Sequence, residues 1–187
     1  MVKHICILAI ISIVLDTNIN AQVAPHQINP AEFNWPDEYA PEKSKFFVHN
    51  EIEINASSRI VWEWIIDALA WESWYNGAED VSFVNPADTL LLAHSVFNWK
   101  TMGMEFQSAI KAYEPNTLLA WESKKKSIKA YTVWHIVPFD EGCKVIVEES
   151  QNGWLTFLEK IFERKAIGEH HDMWLSALKH KSEDEQK

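Results

Sequence analysis

The stretch "AYTVWHIVPFDEGCKVIVEESQNGW", residues 130–154, carries the pattern from which the rest of the chain can be read. Thr132, Trp134 and Ile136 alternate with Tyr131, Val133, His135 and Val137, the two-residue period of a strand. Asp140-Glu141-Gly142 has the composition of a tight turn. Val145, Val147 and Glu149 then alternate with their neighbours as a second strand. After Asn152-Gly153 the apolar spacing lengthens to that of a helix. The stretch therefore predicts an antiparallel hairpin, with strands near 129–138 and 143–150, running directly into C-terminal helical chain.

Upstream, the β pattern continues with strands near 79–84, 91–101, 104–113 and 118–124. The breaks fall at Asn85-Pro86, Gly103, Glu114-Pro115-Asn116 and the Lys124-Lys125-Lys126 tip. "FFVHNEIEI", residues 46–54, reads as a half-buried first strand. Ser57 or Ser58 can cap a following helix with Ile60, Val61, Trp64, Ile65 and Leu69 at helical spacing. A second short helix carries Trp71, Trp74 and Tyr75 and stops at Asn76-Gly77. Downstream, the stripe of Trp154, Leu155, Leu158, Ile161 and Phe162 does not line up with that of Ile167, His171, Trp174 and Leu178. A break near residues 164–168 is expected, then a longer helix to about Lys181. The fold class is α+β: a seven-stranded curved antiparallel sheet gripping a long C-terminal helix, with two short helices after the first strand. A curved sheet wrapped on one helix leaves a gap, and such gaps hold ligands.

The ends have a different composition. Residues 1–21 have a basic start, the apolar run 5–15 and a small residue at Ala21, the layout of a secretory signal. The run is too short to span a bilayer, so no transmembrane span is expected in the mature chain, and the compartment is secreted or periplasmic. Cleavage after Ala21 removes Lys3 and Asp16, leaves the net charge at −10, and leaves Cys143 as the only cysteine. Residues 22–45 hold four prolines and read as an extended leader, whose Phe33, Trp35 and Tyr39 could dock on the domain. The domain is placed at residues 46–181, and residues 182–187 are expected to be a disordered tail.

An acidic chain without a basic stripe is a poor partner for nucleic acid. Five glycines and no Gly-rich phosphate loop leave little room for a nucleotide, and no cofactor is called for. Glu169, His170, His171 and Asp172 diverge by 100° per residue along a helix, so no metal site is expected from them.

The chain resembles the SRPBCC superfamily of START-like, helix-grip proteins, and in particular its polyketide cyclase/dehydrase-like members. The resemblance covers about residues 46–180 and rests on "WESWYNGAEDVSF", "VFNWKTMGMEFQSAIKAYEPNTLLAWES", "AYTVWHIVPFDEGCKVIVEESQNGW" and "HHDMWLSALK" taken in order. It implies that the Trp134 face of its strand is concave, and that Phe97, Trp99, Leu119 and Trp121 point inward with it. Trp74 is then expected to close the mouth, and Thr132 and Trp174 to complete the walls. Glu149 is the inward choice of the Glu148-Glu149 pair, and His171 faces the sheet from the helix. The leading expectation is an exported protein that binds a hydrophobic or aromatic small molecule in a Trp-lined cavity. The alternative is a cyclase/dehydrase or hydrolase-type enzyme using Glu149 and His171 as acid and base. A protein–protein module like the superfamily's heat-shock ATPase activators is a third, made poor by export. If the rings line open space, Trp74→Ala and Trp134→Ala should each cost only ~1–2 kcal/mol, less than a core truncation such as Leu178→Ala at ~2–5 kcal/mol.

Overall fold

The structure, a computed structural model, describes residues 33–125, 128–153 and 163–187. The signal-like residues 1–21, the leader up to residue 32, Lys126 at the hairpin tip and the helix expected over 154–162 lie outside the described residues. Strand β1 (Phe46–Ile54) leads through helix α1 (Ser58–Ile66) and a 3-10 helix (Ala68–Ser73) into β2 (Glu79–Phe83). Then follow β3 (Val96–Thr101), β4 (Met104–Glu114), β5 (Leu118–Lys125), β6 (Ile128–Phe139), β7 (Gly142–Asn152) and helix α2 (Glu163–Gln186). The strands form one seven-stranded antiparallel sheet in the order β1-β7-β6-β5-β4-β3-β2. The sheet curves around α2, which packs on β1 and α1.

Local chemistry accounts for the elements. Ser57 Oγ accepts the Ile60 N–H at 3.4 Å and caps α1, whose Ile60, Val61, Ile65 and Ile66 are buried. Inner-face residues register across the sheet as Val48, Glu149, Thr132, Trp121 and Ile110 in one row. The strand expected over 91–101 starts only at Val96. The apolar run before it anchors a loop: Leu91 is buried and donates its N–H to Ile66 O at 2.8 Å, while Leu90 and Leu92 are exposed. No helix break occurs at 164–168; α2 runs straight through Gly168. A Cβ there would stand 3.7 Å from Val48, an ordinary contact, and the Gly168 carbonyl accepts from Asn50 Nδ2, which ties α2 to β1. The helix also continues through the expected tail to Gln186, with Ser182 buried and Glu183 accepting the Asn55 N–H at 2.9 Å.

Both faces of β6 are buried, and the leader supplies the reason. Residues 33–39 cross the outer face of the sheet as a strap. Phe33, Trp35 and Tyr39 pack on Tyr131, Val133, Leu118 and Ala120, and Trp35 meets Phe47 edge-on at 5.6 Å. Tyr39, 1% exposed, donates its hydroxyl proton to Glu122 Oε1 at 2.8 Å.

His135 lies on this face with 0% exposure, edge-on to Phe33 at 5.7 Å, and neither ring nitrogen has a partner among the described residues. Burial, helped by the nearby His49 charge, pushes its pKa down to about 4. An imidazole depressed in the fold adds nothing above its unfolded pKa of about 6.5 and costs stability as pH falls from there to about 4, because only the unfolded chain takes up the proton. Between pH 7 and pH 4 this group should remove on the order of 3 kcal/mol. Denaturant midpoints across that window should fall more steeply for the parent than for His135→Leu. Equal slopes would show that His135 is not held neutral.

Candidate functional site

The concave face is crowded with rings. Trp71, Phe97, Trp99, Trp121, Trp134 and Trp174 are all buried and touch one another. Tyr75 stacks on Trp174 at 4.6 Å with the planes 9° apart, and Trp71 and Trp134 each meet Trp174 edge-on at 5.0 Å. Such offset and edge contacts are the favoured aromatic geometries. Most of the space between sheet and helix is therefore filled by the protein's own side chains.

What remains open among the described residues is a cavity of about 50 Å³ towards the β3–β4 turn. Its apolar wall is Tyr75, Trp99, Met102, Met104, Phe106 and Trp174, and its polar end is Thr132, Glu149, Gln151 and His171. A cavity of about 150 Å³ is what an apolar pocket needs to take benzene, so a ring enters this one only if the wall moves. The two methionines, unbranched and easily re-packed, are the parts of the wall best able to do so.

The sequence-predicted residues divide by position. Glu149, His171, Thr132, Trp99 and Trp174 meet at the cavity. Phe97, Trp121 and Trp134 point inward as expected but end in packed core rather than on the cavity wall. Trp74 stands aside, half-buried in an open groove of about 720 Å³ with Met173, Ala177 and Lys181. It packs edge-on against Trp64 at 6.5 Å, and so does not close the mouth.

Glu149 is held on three sides. Thr132 Oγ1 donates to Oε2 at 2.9 Å, Gln151 Nε2 donates to Oε1 at 2.6 Å, and His171 Nε2 lies 3.5 Å from Oε2. Burial alone would raise its pKa, but the adjacent His171 and the Gln151 and Thr132 hydrogen bonds outweigh it and hold the carboxyl below its ordinary value. Glu149 is thus a partnered anion, not the isolated carboxyl with a raised pKa that an acid catalyst needs. Glu148 faces the other way, with Oε1 2.9 Å from His49 Nδ1.

A family described as polyketide cyclase / dehydrase and lipid transport matches residues 46–183, most of the chain. The chain belongs to that family. Solved structures agree with this polyketide cyclase / dehydrase and lipid transport fold. The hypothetical protein jhp0584 from Helicobacter pylori is similar with a TM-score of 0.73 at 23% identity, covering 79% of this chain and 94% of that one. A START superfamily protein from Mycobacterium smegmatis is similar at 0.61 and 16%, covering 74% of this chain and 97% of its own. BexL, a di-domain ARO/CYC from the BE-7585A biosynthetic pathway, is similar at 0.60 and 14%, with 74% of this chain covering 50% of that one. At these identities the likeness is one of fold. The chain has no significant match among curated proteins.

Within this family member, several cavity residues were missed by sequence reasoning: Tyr75, Met102, Met104, Phe106, Ser123 and Gln151. Two of them had a signal. Gln151 follows Glu149 by two residues and Ser123 follows Trp121 by two, so strand alternation puts each on the inner face. Among the described residues, no cluster of three or more His, Cys, Asp or Glu is placed to hold a metal, and no helix is long and apolar enough to cross a membrane.

Proposed function

We propose that the chain is an exported binding protein for a small hydrophobic or aromatic molecule, held between the inner face of the sheet and α2. The observation that carries the reading is the cavity itself: an apolar, methionine- and indole-walled space that ends on a buried, fully partnered Glu149 beside His171. Ligand pockets combine those two features, an apolar wall and a few fixed polar groups. The family description, which includes lipid transport, supports it. Export rests on the pattern of residues 1–21.

Native mass spectrometry of the exported chain tests both parts. The expected result is a mature protein starting near Gln22, with a small molecule bound or with uptake of the dye Nile red. A chain that retains Met1 would overturn export. Absence of both a co-purifying molecule and Nile red binding would overturn the binding reading.

The 3.5 Å approach of Glu149 and His171 supports a second reading, acid/base catalysis of the cyclase/dehydrase or hydrolase type. On that reading the bound molecule is consumed on incubation with the parent, but not with His171→Phe.

A further inference from the structure

Two of the residues that line the cavity carry a buried polar atom with no hydrogen-bond partner among the described residues: Nδ1 of His171 and Nε1 of Trp174. Each side chain belongs to a residue only 5% exposed. They are three residues apart on α2, and so neighbours on one face of the helix. Leaving a buried donor or acceptor unpaired is costly, and native structures rarely do so without a reason. The other polar groups at this end are already engaged. Thr132 Oγ1 and Gln151 Nε2 are bonded to Glu149, and Ser123 Oγ lies 2.7 Å from Ser108 Oγ.

The chemistry of the two free atoms is complementary. An indole N–H can only donate. The second nitrogen of His171, Nε2, stands 3.5 Å from the Glu149 carboxylate, and a carboxylate neighbour draws the ring proton to the nitrogen that faces it. In the neutral ring Nδ1 is then a bare acceptor. A hydroxyl group answers both at once: its proton goes to Nδ1, and its oxygen accepts from the indole. A hydrocarbon leaves both atoms unpaired. A carboxylate has no proton to give Nδ1, and would enter beside the anionic Glu149.

Resting on the reading of this cavity as a ligand site, we propose that it selects an uncharged hydroxyl-bearing molecule, an alcohol or phenol, over a hydrocarbon or carboxylate of the same size. His171 and Trp174 are the residues that determine this specificity.

Phenol, toluene and benzoate share a ring and differ in the group presented, so NMR titration of the full chain with the three tests the choice. Phenol should bind about tenfold tighter than either of the others, the equivalent of one to two net hydrogen bonds. In Trp174→Phe and in His171→Phe, phenol should lose its advantage and bind no tighter than toluene does to the same variant. The parent series stands even if a variant fails to fold. Toluene equal to phenol would overturn the hydroxyl preference while leaving the ligand site standing. Benzoate binding tightest would show a proton on Nδ1 and overturn it too. If none of the three binds but Nile red does, the hydroxyl proposal falls and the binding reading survives; if Nile red also fails, both fall.

Discussion

Replacing Gly142 by valine is expected to abolish stable folding, or to lower the denaturation midpoint by the equivalent of about 4 kcal/mol or more, a loss seen only when backbone or core is directly disrupted. Gly142 opens β7 at the turn after β6. A Cβ placed there would come 2.1 Å from the carbonyl oxygen of Ile54 and 3.1 Å from Cα of Asn55. These are backbone atoms at the end of β1, and Ile54 is fully buried and registered opposite Cys143. No side chain can swing aside; β1 must part from β7, or the turn must lift. The reason is close approach rather than the positive φ expected of a turn glycine. Gly103 does have that conformation, at φ +71°, with nothing near its missing Cβ. Gly103→Val should therefore cost only the backbone strain, about 1–3 kcal/mol. Gly168→Val, inside α2 and 3.7 Å from Val48, should be mildest. Chemical denaturation of the three variants checks the order Gly142, Gly103, Gly168. A reversal between the first and last would mean that β1 and β7 do not meet as described.

The second large effect concerns Trp134. Its ring is 0% exposed and lies against Trp121 at 6.2 Å and Trp174 at 5.0 Å. Truncating a buried tryptophan removes its contacts and leaves a void that the surrounding rings cannot fill, at ~3–5 kcal/mol. Trp134→Ala should thus cost at least as much as Leu178→Ala, at ~2–5 kcal/mol, contrary to what a ring facing open space would give. Trp74→Ala, half-buried at the outer groove, should cost about 1–2 kcal/mol by the same reasoning. Urea melts of these variants decide it. A Trp134 variant as stable as the Trp74 one would mean that its ring borders empty space after all.

The order of elements was legible because period changes mark it: the alternation of β6 and β7, the Asp140-Glu141-Gly142 turn and the helical spacing of Ile167, His171, Trp174 and Leu178 need only local chemistry. Alternation put Thr132 and Trp134 on one face of β6 but could not say which face was inner; the family resemblance chose that face, with Phe97, Trp99 and Trp121, and the rings do lie in the inner core. What alternation cannot report is whether an inward ring meets space or another ring. That depends on how far apart sheet and helix lie, and a cluster of six packed aromatics answers it only in three dimensions. The apolar run at 90–92 misled for a related reason, since Leu91 is buried by a loop's hydrogen bond to Ile66 rather than by strand pairing. The prolines of the leader read as a tether, but its Phe33, Trp35 and Tyr39 were legible as rings able to dock, and they do. Where they dock is marked by β6, a strand apolar on both faces, which requires a cover on each.

That cover sets where the cooperative unit begins. The family-matched span starts at Phe46, yet Tyr39 is as deeply interior as the central strands. A fragment cut at the family boundary would keep every strand and the helix while baring a strip of Tyr131, Val133, Leu118 and Ala120 to water. Such a strip invites self-association. The folding unit of this chain therefore extends at least as far back as Phe33, and colloidal behaviour, more than secondary structure, is where a shorter boundary would betray itself.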